Sequence, residues 1–184
     1  MSASRTLISI AVAFGALGAS FYSHGQASSS AALAQAIGKL GAGAAIVPVN
    51  EIGKECGPVP KTASLVSVDL NGDGLTDAAT LVKIRETGKV VPWNGAQLRE
   101  AEFAFAIYLA QKDGTFVRTF IKRFLDYMPV DSFIGPVPTG TVHNRETNRD
   151  VTIAHPGVML VHCGKSAAAY YMSGNRVHII PTAD

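Results

Sequence analysis

Short runs of alternating side chains, each closed by turn residues, constrain the fold of this chain more than any other feature. Large apolar residues alternate with smaller ones over 103–109, and this period of two is typical of a β-strand. A Lys-Asp-Gly-Thr turn follows at 112–115, and a second apolar run occupies 116–124. We therefore predict a β-hairpin over these residues.

The C-terminal part of the chain repeats the pattern. Three apolar runs, at 158–163, 167–172 and 176–180, are separated by short segments of Gly, Lys, Ser and Asn. Runs of this length with turn residues between them predict a three-stranded antiparallel meander. Two more apolar runs, at 65–68 and 78–84, predict further strands.

A short helix is predicted ahead of the strands. The serines at 28–30 can cap its start, apolar residues recur at 33, 37 and 40, and Gly41 can end it. The next segment, 41–49, fits either a linker or a first strand. The resulting fold class is α+β, predominantly β, with antiparallel hairpins and a meander behind a short N-terminal helix.

The N-terminal residues are typical of an export signal. Arg5 precedes an apolar stretch at 7–19, and Gly25 and Ala27 suit the positions that a signal peptidase recognises. We therefore predict a signal peptide over 1–27 and a single β-rich domain over 28–184, in the periplasm or secreted. The alternative is an uncleaved N-terminal anchor, although the apolar stretch is shorter than the ~20 residues of a transmembrane helix.

The cysteine content agrees with export. The chain has 2 cysteines, Cys56 and Cys163, and an even number in an oxidising compartment predicts a disulfide between them. Two separate buried thiols are the alternative, which a cytosolic location would favour.

The charge pattern limits the class of partner. The formal net charge is +2, and the basic residues are scattered rather than clustered. Nucleic acids and anionic membranes are bound by clustered Lys and Arg, so neither is expected here. The predicted partner is an unidentified protein or a component of the cell envelope, and no membrane span is expected in the mature chain.

Residues 69–77 have the pattern D-x-N-x-D-G-x-x-D, which is suited to calcium. Side-chain oxygens at its first, third and fifth positions can point into one concavity, Gly74 permits the sharp turn, and the next backbone carbonyl adds a ligand. The ninth position can contribute directly or through water. The predicted ligands are Asp69, Asn71, Asp73 and Asp77, with the carbonyl oxygen of Leu75.

The flanks of this loop differ from those of an EF-hand. The position at which an EF-hand carries a bidentate Glu is occupied by Thr80, and the flanking runs are apolar and β-branched. A strand–loop–strand arrangement is therefore predicted. A tight turn that orders itself through its Asx side chains without any metal is the alternative.

The loop, with Val68 before it and an apolar strand after it, resembles the calcium loops of FG-GAP and VCBS-type repeat proteins. The resemblance covers about twenty residues. It implies calcium bound between adjacent strands of an extracellular module, with an affinity of about 10⁻⁴–10⁻³ M typical of such sites. The C-terminal segments 157–160 and 169–174 also resemble the ends of small uncharacterised secreted bacterial proteins.

Two segments are predicted to be loops, namely 86–98, which contains Trp93, and 126–148, which is rich in Pro and Gly. The function favoured by the sequence is a non-catalytic exported binding or structural module with one calcium-stiffened connection, and no catalytic residues are assigned. One alternative is a periplasmic inhibitor that presents 126–148 to a secreted enzyme. The other is a small secreted hydrolase that uses His155, His162 and His178.

Overall fold

The computed structural model describes residues 22–183, with side chains from Ser29 onward. Most of the predicted signal peptide, residues 1–21, lies outside the described residues. Among the residues described, no helix combines the length and the hydropathy that crossing a membrane requires.

The helix α1 spans Tyr22–Gly38. It therefore begins upstream of the serines at 28–30, and the prediction that these serines cap its start is wrong, because they lie within the helix. Its end is close to the predicted one, where the N–H groups of Leu40 and Gly41 bond to the carbonyls of Ile37 and Gly38. The apolar residues predicted to face the domain, Leu33, Ile37 and Leu40, are buried.

Eleven strands follow within the described residues, and two 3-10 turns lie between the first two of them, at Val49–Glu51 and Lys54–Cys56. The strands are β1 (Ala45–Ile46), β2 (Leu65–Val68), β3 (Asp77–Trp93), β4 (Ala96–Ala110), β5 (Phe116–Met128), β6 (Ser132–Val137), β7 (Gly140–Asn144), β8 (Arg149–Ile153), β9 (Gly157–His162), β10 (Ser166–Ser173) and β11 (Arg176–Ala183).

The strands form two main antiparallel sheets. In the first sheet the order is β1-β3-β4-β5, with β2 also paired to β3; in the second sheet it is β11-β10-β9-β6. The first sheet packs with one face against α1 and with the other against the second sheet. The described part of the chain is thus predominantly β with one helix, as predicted, and the predicted 112–115 turn and C-terminal meander are confirmed. The undecided segment 41–49 contains the two-residue strand β1.

The central strand β4 is buried on both faces over residues 103–108, which explains its alternation of large and small side chains there. Phe105 and Ile107 face the second sheet and pack with residues of β9 and β10. Ala104 and Ala106 lie on the opposite face and pack with α1. Small side chains at these two positions allow the helix to lie close to the sheet, so the alternation is one of size rather than of polarity.

The hairpin β7–β8 covers the outer face of the second sheet. Val142 and Val151 pack on a cluster that includes Ala169 and Ile180. The backbone N–H of Arg145 also donates to the carbonyl of Pro181 at 2.9 Å. The molecule therefore has four layers: helix, first sheet, second sheet and hairpin.

The prediction of a loop over 86–98 is wrong. β3 and β4 pair as far as Trp93 and Ala96, and a two-residue turn, Asn94 and Gly95, joins them. Both turn residues have positive φ, 47° and 80°, which is the signature of a type I′ hairpin turn. Trp93 lies next to this turn with 63% of its surface exposed, so it does not fold over the edge of the sheet.

The prediction of a long loop over 126–148 is also wrong. The segment contains the end of β5, all of β6 and β7, and the turn after β7. Pro136 is tolerated within β6 because this strand lies at the edge of the second sheet, where β9 is its partner. Residues 126–148 are therefore not a free loop that an inhibitor could present to an enzyme.

The predicted disulfide is confirmed. Cys56 and Cys163 are bonded, with Cα atoms 5.0 Å apart. The bridge ties the 3-10 turn at Lys54–Cys56, which packs beside the first sheet, to the residue that follows β9 in the second sheet.

Candidate functional site

The predicted calcium loop connects β2 to β3, as the strand–loop–strand prediction required. Val68 and Asp77 are register partners, so residues 69–76 form a closed hairpin loop whose two ends lie side by side. Gly72 and Gly74 have φ of 79° and 84°, which residues with a side chain rarely adopt. The loop is therefore folded by its glycines and by the bonds of its polar side chains.

Asp69 organises the first half of the loop. Its Oδ1 accepts the Gly72 N–H at 2.7 Å, and its Oδ2 accepts the Gly74 N–H at 2.9 Å. Slight burial acts to raise the pKa of Asp69, but the backbone N–H groups, led by those of Gly74 and Gly72, outweigh it and hold that pKa below its ordinary value. Asp69 is thus ionised near neutral pH.

Asn71 and Asp73 form a second bonded unit. Asn71 Oδ1 accepts the Asp73 N–H at 3.1 Å, and Asn71 Nδ2 donates to Asp73 Oδ2 at 3.0 Å. Asp73 Oδ1 accepts the Leu75 N–H at 2.8 Å. These contacts are successive Asx turns, and they match the predicted alternative in which the loop orders itself.

Asp77 has a different role from the other acidic residues of the loop. Its side chain is fully buried, and its two oxygens accept the N–H groups of Leu70 and Ala110, each at 2.9 Å. Burial raises the pKa of Asp77, and the charges of Asp73 and Asp69 raise it further, while the two N–H bonds oppose this. Asp77 therefore joins the loop to the end of β4.

The acidic side chains of the loop have no cationic partner among the residues that the structure describes. Within the described part of the chain, no ion pair involves Asp69, Asp73 or Asp77. The charges of Asp73 and Asp69 raise the pKa of Asp77, so the buried carboxyl is repelled by the two acidic side chains in front of it. The loop consequently holds uncompensated negative charge.

The donor set suits calcium only if carbonyl oxygens take part. No group of three or more His, Cys, Asp or Glu side chains in the described residues is placed to hold a metal ion. Asp69 and Asp73 would therefore have to act with the amide oxygen of Asn71 and the carbonyl of Leu75, all of which are oxygen ligands that calcium accepts. The hydrogen bonds described above leave room for this, because each oxygen has a second lone pair.

His155 lies against the loop, although the sequence did not point to it. A Cβ atom added to Gly72 would overlap the His155 ring and lie 2.6 Å from its Nδ1. The ring thus covers Gly72, between Asn71 and Asp73. No local pattern could have revealed this contact, because His155 follows β8 and is far from the loop in sequence.

The three histidines considered for a hydrolase lie at separate places. His155 contacts the loop, and His178 stacks on Tyr171 with ring centroids 5.2 Å apart. His162 bonds through Nδ1 to Ser132 Oγ at 2.8 Å, between strands β9 and β6. This Ser–His pair resembles a nucleophile and its base, but Ser132 has no exposed surface, so a substrate cannot reach its hydroxyl.

The resemblance to FG-GAP and VCBS-type repeats rests on the loop residues alone. No protein-family model, curated protein or solved structure matches this chain.

Proposed function

We propose that this chain is an exported, non-catalytic binding or structural module whose loop 69–77 binds one calcium ion. The ion is held by the side chains of Asp69, Asn71 and Asp73 and by the Leu75 carbonyl. Asp77 contributes to the site directly or through water. The observation that carries the proposal is the arrangement of three carboxylates on one closed loop without a cationic partner among the described residues.

The free energy of binding comes from relief of repulsion. Three carboxylates within nine residues repel one another, and a divalent cation neutralises this charge while it takes the oxygens as ligands. The loop conformation needs little reorganisation, because Asp69 and Asp73 already bond to backbone N–H groups of the loop. A pre-ordered loop lowers the entropic cost of binding.

Asp77 links the site to the core of the domain. It bonds to Leu70 at one end of the loop and to Ala110 at the end of the central strand β4. A cation that lowers the charge of the loop also removes part of the electrostatic penalty on the buried Asp77 carboxylate. Calcium therefore acts as a stability factor for the sheet, and the module carries its partner-binding surface elsewhere.

The test is thermal unfolding of the exported protein with calcium and with a chelator. A ligand that binds only the folded state at 100-fold excess over its Kd stabilises that state by ~2.7 kcal/mol, so millimolar calcium should raise Tm. Magnesium should raise it much less, because it requires a tighter octahedral shell and retains its waters.

Two variants make this test specific. Asp73→Ala should abolish the response to calcium, because it removes a ligand and leaves Gly74 to form the turn. Asp113→Ala is the matched control: Asp113 also bonds to an N–H group two residues ahead of it, that of Thr115, but in the β4–β5 turn. It should lower Tm without changing the calcium response. Identical melting curves in chelator and in calcium would show that the loop is a turn that binds no calcium.

A further inference from the structure

The two sheets of the sandwich leave a cleft open along one edge. It lies where β5, the edge strand of the first sheet, faces β10 and β11 of the second sheet. The cleft has a volume of about 490 Å³, which is within the range of sites for single small molecules. It lies apart from the loop 69–77, since the two share no lining residue.

The cleft has an aromatic and aliphatic lining. The Tyr170 ring lies 5.3 Å from that of Phe120 and 4.7 Å from that of Phe105, measured between centroids. Leu160 is buried at the cleft, whereas Ile179 lines it with 49% of its surface exposed. An exposed isoleucine on the inward face of a sheet is apolar surface that an apolar ligand would cover.

A polar group opens onto this apolar lining. Tyr170 is 1% exposed, and its hydroxyl makes no hydrogen bond to any residue that the structure describes. The Tyr170 oxygen is not among the fully enclosed polar atoms that lack a partner, so it keeps some accessible surface at the cleft that Tyr170 lines. In this cleft, a bound molecule with an acceptor oxygen would supply the missing bond.

The mouth of the cleft carries positive charge. Lys122 is exposed, lines the cleft and forms no ion pair with the described residues. His162 also lines it, and its Nδ1 is engaged by Ser132. Burial lowers the pKa of His162, as do Lys122 and Lys165, while Asp126 opposes this, so the imidazole is neutral near pH 7. A neutral ring whose Nδ1 accepts from Ser132 keeps its Nε2–H as a donor.

We propose that this cleft binds a small amphipathic carboxylate, with its apolar chain on Phe120, Leu160 and Ile179 and its carboxylate at Lys122 and Tyr170. An apolar lining with a few donors and one cation is complementary to such a molecule in both shape and charge. The positive charge of Lys122 favours a carboxylate over a neutral lipid. The small volume of the cleft favours a single small molecule over a peptide or a polymer. This binding activity goes beyond the calcium-dependent stability proposed above and does not depend on it.

The experiment is calorimetric titration of the exported protein with decanoate and with decanol, both below the concentrations at which they aggregate. Decanoate is expected to bind one molecule per chain and more tightly than decanol, because only decanoate carries the charge. Chemical-shift changes in an NMR titration should centre on Tyr170, Phe120 and Ile179. Failure of decanoate to bind, or equal affinity for the alcohol, would overturn the proposal.

Two variants test the named contacts. Lys122→Gln should weaken decanoate binding by up to about fivefold, as expected for loss of an exposed ion pair, and leave decanol binding unchanged. Lys165→Gln is the matched control, since Lys165 lies near His162 but does not line the cleft. An equal effect of the two variants would show long-range electrostatics instead of a site.

Tyr170→Phe removes only the hydroxyl. It should weaken decanoate binding while leaving the protein as stable as before, because the hydroxyl makes no hydrogen bond to the described residues. Unchanged decanoate binding in this variant would remove Tyr170 from the site.

Discussion

The two glycines of the loop 69–77 differ in what surrounds them, although their backbones are alike. Both have positive φ, but a side chain at Gly74 would meet open space, whereas one at Gly72 would meet the His155 ring. Replacing Gly74 by Ala should therefore cost about 1–2 kcal/mol from backbone strain alone. Gly72→Ala should cost more, because the imidazole must also move.

The excess cost can be assigned by a double-mutant cycle. Adding His155→Ala to Gly72→Ala should recover the extra destabilisation, whereas adding it to Gly74→Ala should have an additive effect. Urea denaturation of the wild type, the three single variants and the two double variants measures these differences. Additivity in both pairs would mean that His155 does not press on the loop in solution.

The pKa of His162 gives a pH prediction at the residue scale. Burial holds this pKa below its ordinary value of 6.5 in the folded state, with help from the charges of Lys122 and Lys165 and against that of Asp126. The unfolded chain then binds the proton more tightly than the folded one. The contribution of His162 to the free energy of unfolding is therefore fully present above pH 6.5. It is lost as the pH falls from 6.5 towards the lower pKa of the folded state.

This fall can be measured by chemical denaturation between pH 8 and pH 5. His162→Gln should flatten the profile in this window, because the glutamine does not titrate. His178→Gln is the control, since it also removes one histidine from the second sheet but leaves His162 in place, and it should keep the dependence. A wild-type profile that stays flat over this range would contradict the burial of a neutral His162.

The residues of the loop site show which contacts can be predicted from sequence spacing alone. The loop was predictable because Asp69, Asn71 and Asp73 bond within their own few residues, so sequence order dictates their geometry. The contact of His155 with Gly72 and the bond of Asp77 to Ala110 were not, because each joins segments that only the assembled sheets bring together. Local patterns carry no information about such contacts.

At the scale of elements, the β3–β4 hairpin extends beyond the rest of the first sheet. β5 pairs with β4 only as far as Arg99, so residues 90–98 form a two-stranded arm without further neighbours in the sheet. Val90 and Trp93 on this arm are more than half exposed. Two strands with little buried apolar surface are expected to open more easily than the central part of the same strands.

Amide hydrogen exchange tests this expectation. N–H groups that pair across the arm, between Val91 and Leu98 for instance, should exchange much faster than those between Val82 and Ala104, although both pairs belong to the same two strands. The comparison within one strand pair controls for solvent and temperature. Equal protection at both places would imply that something covers the arm in solution.

The errors in predicting elements have a common physical origin. Gly and Pro marked 86–98 and 126–148 as loops, but Gly88 lies where the β3–β4 register shifts and Pro136 lies on an edge strand. Both residues are tolerated in strands at bulges and edges. The Asn94-Gly95 pair was the one local signal of a hairpin in the first segment. The position of a strand within its sheet decides such cases, and this position is a property of the whole fold.

At the scale of the molecule, four layers are held together mostly by side chains that meet across sheets. The helix packs on the small residues of β4, and the second sheet packs on the large ones. The β7–β8 hairpin covers the outer apolar face of the second sheet. Period-two alternation predicted the strands but could not show that both faces of β4 are covered. That required the helix and the second sheet, which lie on opposite sides of it.

The disulfide is the covalent link between these layers, and it supports the last prediction. Cys56 and Cys163 are separated by 107 residues, so the bond closes a loop that contains most of the first sheet and β6 to β9. In the chain-entropy account, closing a loop of about 100 residues stabilises the folded state by ~4–5 kcal/mol, and measured losses are typically ~2–5 kcal/mol. The double variant Cys56→Ala with Cys163→Ala avoids leaving a free thiol. Its free energy of unfolding should be lower than that of the wild type by an amount within this range.

Denaturation with and without a reducing agent provides the measurement. Reduction should lower the midpoint of the wild-type protein to about that of the double variant, and it should leave the midpoint of the double variant unchanged. Because the bond acts mainly on the unfolded chain, folding of the variant should still produce the same antiparallel sheets, visible in circular dichroism. Equal midpoints for oxidised and reduced wild-type protein would mean that packing between the sheets alone determines the stability, and that the bridge merely joins residues already held together.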